Sequence, residues 1–178
     1  MKRIRIQEAT RDKIPALQDF LLQAWREAGP GALGWTGATD EHISEITSDA
    51  FLSSLLERSE VTLFLALTEN QVVGFASNTK VSPNLVELSG IIVLEGIRGQ
   101  GVGTLLLQSA ICSARKKGYS DMTVKTETTN DRALRFYTNH HFKPKRTTRS
   151  DIHGTRTPVI ELILSLNKRS SENRTQII

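Results

Sequence analysis

The sequence predicts one mixed α/β domain, on three observations. Runs that are β-branched or alternate apolar with polar residues are interleaved along the chain with stretches whose apolar residues recur every three or four positions, so strands and helices are mixed rather than segregated. In the middle, the strand-like run Glu87 to Leu94 leads through the glycine-rich stretch 98–104 into a helical stripe of Gly103, Leu106, Leu107, Ala110, Ile111 and Ala114. The length, 178 residues, with 38% hydrophobic and 24% charged content, suits a single globular core. The domain is expected over residues 1–166, with a polar, frayed tail over 167–178.

Taken in order, Arg3-Ile4-Arg5-Ile6 alternates like a short edge strand. Thr10 or Asp12 can cap a helix that turns Ile14, Leu17, Phe20, Leu21, Ala24 and Trp25 to one side, with Pro15 in its first turn and Gly29-Pro30-Gly31 at its end. Residues 31–40 are glycine-rich and hold Trp35, which reads equally as a lid over a substrate or as a plug that finishes the core. Asp40 starts a second helix with Ile43, Ile46, Ala50, Phe51 and Leu55 inward. Val61 to Leu67 is a buried strand, and Val72 to Ser77 returns from it as a hairpin. Pro83-Asn84 breaks the chain before the strand Leu85 to Leu94. The helix after the glycines stops at Lys116-Lys117-Gly118, cations followed by a glycine. Met122 to Thr126 is the next strand, Arg132 to Asn139 a short helix capped by Asn130 or Asp131, and Arg156 to Leu166 a final strand.

Composition narrows the function. One cysteine excludes an internal disulfide and a cysteine-rich zinc site, and the four histidines lack metal-ligand spacing, so no metal is expected. No run is long or apolar enough to cross a bilayer as a helix and no signal peptide leads the chain, which makes the cytoplasm the expected compartment. The net charge of +4 invites acidic partners, with Lys143, Lys145, Arg146 and Arg149 clustered and more cations at Lys168, Arg169 and Arg174. No aromatic falls between Lys143 and Arg149, so a solvated strand face or a phosphate clamp is expected there rather than a nucleic-acid surface. Cys112 and Leu105 sit on the helix face opposite the apolar stripe, where they would pack under another element or a partner subunit of a homodimer. Cys112 is thus no nucleophile, and His42, His140, His141 and His153 have no companions at catalytic spacing. Glu95 and Glu127 read as surface groups or as groups that support the site from behind.

The glycine stretch carries the chemistry. Gly99, Gly101 and Gly103 let the backbone approach a ligand and point several amides one way, and the helix N-terminus adds partial positive charge. Successive amides suit the separate oxygens of a di- or triphosphate, and Arg98 supplies a cation at the rim. Taken alone, G-x-G-x-G is equally a tight turn that packs a helix on a strand. A Walker loop is excluded because no Lys-Ser/Thr pair follows in register, and the dinucleotide G-x-G-x-x-G because Thr104 takes the last place.

Two blocks together resemble the GNAT superfamily of acetyl-CoA-dependent N-acetyltransferases. Arg98-Gly99-Gln100-Gly101-Val102-Gly103 matches its Q/R-x-x-G-x-G/A loop. Asn130-Asp131-Arg132-Ala133-Leu134-Arg135-Phe136-Tyr137 matches its N-x-x-A-x-x-F-Y pattern downstream. The resemblance spans Ile4 to Leu166 and implies a twisted, mostly antiparallel sheet of about seven strands flanked by about four helices, with a V-shaped splay between the two central strands. One departure is His141-Phe142, where the family has glycine before phenylalanine; histidine must take a positive φ there.

The resemblance also implies a reaction: direct transfer of acetyl from acetyl-CoA to a primary amine, of a small molecule or of a protein or peptide, in a ternary complex. Its alternative is a sensor of the same fold that binds acyl-CoA without turnover. The diphosphate of the cofactor would lie on residues 98–104, that is Arg98, Gly99, Gln100, Gly101, Val102, Gly103 and Thr104. Its pantetheine arm would run along Ile91, Ile92 and Val93 and touch Asn130. Tyr137 is the implied general acid for the departing sulfur, the Val93 amide the oxyanion donor, and Glu87 either the general base or a solvated strand carboxylate. Trp35 and Glu87 are the candidates for contact with the acceptor.

Overall fold

The structure is a computed structural model that describes residues 3–29, 32, 37–69, 71–152 and 154–167. Trp35, His153 and the tail over 168–178 lie outside the described residues. The order is β1 (Ile4–Glu8), α1 (Ile14–Ala28), α2 (Asp40–Ile46), α3 (Asp49–Glu57), β2 (Val61–Thr68), β3 (Gln71–Ser82), β4 (Leu85–Val93), α4 (Val102–Lys116), β5 (Asp121–Glu127), α5 (Asp131–Asn139), β6 (Lys143–Ile152) and β7 (Thr155–Ser165). The strands form one seven-stranded sheet in the order β1-β2-β3-β4-β5-β7-β6. Every neighbouring pair is antiparallel except β4 and β5, whose parallel pairing requires the crossover that α4 provides.

The six apolar positions expected on α1 are its six buried residues. The helix is entered through a 3-10 turn, Arg11–Lys13, so neither Thr10 nor Asp12 caps it; the Thr10 hydroxyl bonds to Asp12 instead. The expected helix from Asp40 to Leu55 is two helices. Thr47 turns its hydroxyl back onto the Ile43 carbonyl, Ser48 goes extended, and the Ser48 side chain accepts the Phe51 amide as a new N-cap. The restart shifts the phase, so Leu52 is buried and Ala50 is exposed, and the helices number five rather than four. Trp25 donates its indole N–H to Asp40 at 2.8 Å and fastens the end of α1 to the start of α2.

The core lies between the sheet and α4, whose Leu106, Leu107 and Ala110 are fully buried against residues such as Leu65, Ala76 and Val124. Gly74 on β3 permits this approach: a Cβ there would stand 3.0 Å from Leu106 and 3.3 Å from Val102. The helix ends as expected. Gly118 takes φ 82°, with its amide on the Arg115 carbonyl and that of Tyr119 on Ala114, which ties off the last turn. His141 does adopt the positive φ, 68°, and Phe142 then enters the core. Leu105 and Cys112 are exposed, so no described element of the chain covers them, and of the two expected covers only a partner subunit is left.

β6 is the exposed edge of the sheet, and two of its cations are already engaged. Lys145 (3.3 Å) and Arg146 both bond the buried carboxylate of Glu161 on β7. Burial works against ionising Glu161, but the bonds from Arg146 and Lys145 outweigh it and hold the carboxyl below its ordinary range. A lowered value stabilises the fold above the ordinary glutamate pKa, and that stability is lost as pH falls through the lowered one. Glu161→Gln is therefore expected to cost about 1–2 kcal/mol at pH 7 and nothing at pH well below 4. Urea unfolding at the two pH values checks this; equal wild-type and variant midpoints at pH 7 would exclude it.

Candidate functional site

The sheet comes apart in the middle. β4 and β5 pair only from Leu85↔Asp121 to Leu88↔Val124, yet both strands continue. β4 goes on with β3 as far as Gly74↔Val93, and β5 with β7 as far as Glu127↔Val159. The split starts at a β-bulge. Ser77 pairs with Gly90 and Asn78 with Leu88, which leaves Ser89 as the extra residue that bends β4. Beyond it, the Leu94 amide donates to Val73, so ladder alternation turns the N–H and C=O of Val93 and Ile91 away from β3 and into the gap. Arg98 folds back to donate its Nε–H to the Val93 carbonyl at 3.0 Å.

The glycine loop closes one end of the gap. After a 3-10 turn, Glu95–Ile97, Arg98 is extended, Gly99 and Gly101 take φ 78° and 82°, and α4 begins at Val102. The first helical bond runs from the Leu105 amide to the Gly101 carbonyl at 3.0 Å. The amides of Val102, Gly103 and Thr104 therefore have no acceptor within the helix and point out of its N-terminus. Glu27 on α1 accepts the Glu95 amide at 2.9 Å and is itself held by Gln23, so α1 braces the start of this loop.

α5 forms the opposite wall. Asn130 caps it by accepting the Ala133 amide at 3.1 Å, which leaves the Asn130 amide nitrogen as an outward donor. Gly103 is where three elements meet: a Cβ there would lie 3.5 Å from the Phe136 ring and 4.0 Å from Val93. One turn further on, the His140 Nδ1 lies 2.7 Å from the Phe136 carbonyl and its Nε2 3.2 Å from the Thr104 hydroxyl. A carbonyl only accepts, so Nδ1 carries the hydrogen, and in the neutral ring Nε2 accepts from Thr104. Tyr137 is 5% exposed, with its ring edge-on to Phe136 (5.2 Å) and Phe142 (5.5 Å). Its hydroxyl makes no hydrogen bond to a described residue, and burial alone pushes its pKa well above the tyrosine range. The phenol is thus a permanent donor at neutral and moderately alkaline pH.

Val93, Arg98, the glycine loop and the Phe136 ring thus meet beside the split, with Asn130 just beyond the open end of β5 and Tyr137 packed behind Phe136. Glu87 stands further back, where β4 and β5 are still paired, and its carboxylate is ion-paired to Lys125 at 2.7 Å. Lys125, Arg132 and the His140–Thr104 bond escaped sequence reasoning. The partners in the two bonds lie 38 and 36 residues apart, and only strand register or helix packing unites them.

A model of the acetyltransferase (GNAT) family matches residues 17–142. Among relatives, a mycothiol acetyltransferase of Jonesia denitrificans is 38% identical over 42% of this chain, and an aminoglycoside N(6')-acetyltransferase of Klebsiella aerogenes 32% over 53%. The chain spans 24% and 65% of the lengths of those two proteins. Among solved structures, the PaiA N-acetyltransferase of Thermoplasma acidophilum in complex with coenzyme A superposes with a TM-score of 0.71 at 19% identity, over 89% of this chain and 98% of that one.

Proposed function

Because the chain belongs to the acetyltransferase (GNAT) family, we propose that it transfers the acetyl group of acetyl-CoA to a primary amine, of a small molecule or of a protein or peptide, by direct attack in a ternary complex. The observation that carries this reading is the split between β4 and β5, opening beside a loop whose glycines aim the first amides of α4 outward. The diphosphate of the cofactor lies on residues 98–104, with the Arg98 guanidinium beside it. The pantetheine arm runs along Ile91, Ile92 and Val93, where the N–H and C=O of Ile91 are open to it as to an added strand, and the Asn130 amide nitrogen donates to it.

In the reaction, the neutral amine nitrogen bonds to the thioester carbon, the C–S bond breaks, and coenzyme A leaves with its thiol. The Val93 N–H faces the gap and stabilises the charge that develops on the carbonyl oxygen. The Tyr137 hydroxyl hands a proton to the departing sulfur. Glu87 takes the proton of the attacking nitrogen, directly or through water, and must share its Lys125 pair to do so. Glu87→Gln is expected to lower kcat by about a hundredfold and to flatten the rise of kcat/KM with pH. A pH–rate profile like that of the wild type would remove Glu87 from the mechanism.

The direct test is release of free thiol from acetyl-CoA in the presence of a panel of amines, peptides and lysine-bearing proteins. Cys112 is exposed and adds its own thiol, so Cys112→Ser serves as the working background. Acceptor-dependent thiol release is expected; acetyl-CoA bound tightly but never turned over with any amine would favour the sensor of the same fold.

A further inference from the structure

We propose that Arg132 is a second phosphate-binding cation, which closes with Arg98 on a phosphoryl group of the cofactor from the far side of the glycine loop. The proposal rests on the acetyl-CoA reading above and adds to it a residue outside the glycine loop.

Placement comes from helix geometry. Arg132, Phe136 and His140 are spaced i, i+4, i+8 and so share one stripe of α5. The last two members are fixed against the start of α4, with His140 on the Thr104 hydroxyl and the Phe136 ring against Gly103. The stripe therefore runs down α4 toward its N-terminus, and its next member, Arg132, continues past Gly103 to the loop that holds Arg98. The two arginines are close enough to sense each other. Both side chains reach the surface, yet partial desolvation first, and then the charge of Arg98, press the Arg132 guanidinium below its ordinary range, while the Glu95 carboxylate works the other way. Arg98 cannot swing away freely, because its Nε–H is bonded to the Val93 carbonyl, which leaves its terminal nitrogens for an external anion.

This is a poor position for a merely structural cation. Arg132 lies in the first turn of α5, where the helix dipole disfavours positive charge, and faces a second guanidinium. No ion pair of Arg132 occurs among the described residues. A phosphoryl group between the two arginines would relieve both conflicts and accept several charge-assisted bonds. The chemistry admits the diphosphate or a terminal phosphomonoester, and the cofactor carries both.

The experiment measures affinity for coenzyme A and for 3′-dephospho-coenzyme A in the wild type, Arg132→Gln and Arg132→Lys, together with the melting temperature of each unliganded protein. Arg132→Gln is expected to weaken coenzyme A binding by roughly ten- to a hundredfold, Arg132→Lys to recover part of it, and the unliganded Gln variant to melt no lower than wild type. If the loss disappears with the dephospho compound, the group held is the ribose phosphomonoester; if it persists, the group is the diphosphate; both support the assignment. A folded Arg132→Gln protein that binds both compounds like wild type overturns it. A folded wild type that binds neither would instead remove the acetyl-CoA reading itself.

Discussion

Replacing Tyr137 by phenylalanine is expected to lower kcat by about two to four orders of magnitude while leaving the Kd for acetyl-CoA within a few-fold of wild type. The reasoning separates the ring from its hydroxyl. The ring is buried and held edge-on by Phe136 and Phe142, and phenylalanine preserves those contacts. The hydroxyl bonds to no described residue, so its removal leaves none of them without a partner and folding changes little. What the substitution deletes is a proton that burial keeps on the oxygen at any working pH. Single-turnover kinetics with saturating acetyl-CoA, alongside equilibrium binding, check the split. An unaltered rate in the phenylalanine variant would remove Tyr137 as the acid, and a large loss of affinity would show that it binds rather than catalyses.

The second large effect is expected at Gly101, the residue that caps α4 at φ 82° and ψ 0°. A Cβ there meets no protein atom within 4 Å, so what opposes Gly101→Val first is its left-handed backbone conformation, at about 1–2 kcal/mol. A side chain added there enters open space at the residue that leads directly into the Val102 and Gly103 amides, where the diphosphate is proposed to lie. Gly101→Val is therefore expected to weaken acetyl-CoA binding by a hundredfold or more, well beyond its effect on stability. Gly101→Asn, which tolerates a left-handed backbone, is expected to recover much of the stability and little of the affinity. If the asparagine variant bound acetyl-CoA normally, the loop would act by its conformation alone and not by open access to its amides.

Much of this architecture was legible because it is local. The apolar positions of α1 and α4 repeat at helical spacing, and Gly118 and the glycines of the loop announce the backbone turns they make. His141 could be assigned a positive φ because the family that the chain resembles has glycine at that place. The break between α2 and α3 was hidden for an equally physical reason. Thr47 and Ser48 are compatible with a helix, and what ends it is a competition between side-chain and backbone hydrogen bonds that periodicity does not register. The candidate site divides the same way. Its glycine loop and its Asn130 cap are each a short local run of sequence, whereas Lys125 meets Glu87 only through the parallel register of β4 and β5. The cations of β6 do stand on a solvated strand face, but that Lys145 and Arg146 both reach Glu161 depends on a hairpin register that residue types alone do not define.

The short pairing of β4 with β5 also has a mechanical meaning. Mechanically, the sheet is two plates, β1–β4 and β5–β7, hinged along a seam that ends at Leu88 and Val124. Past the seam, the plates are spanned from outside, by α4 and α5 meeting at Gly103 and Thr104. Any change at that junction is therefore felt as an angle between the plates, so residues buried far from the reacting atoms can widen or narrow the cleft by leverage.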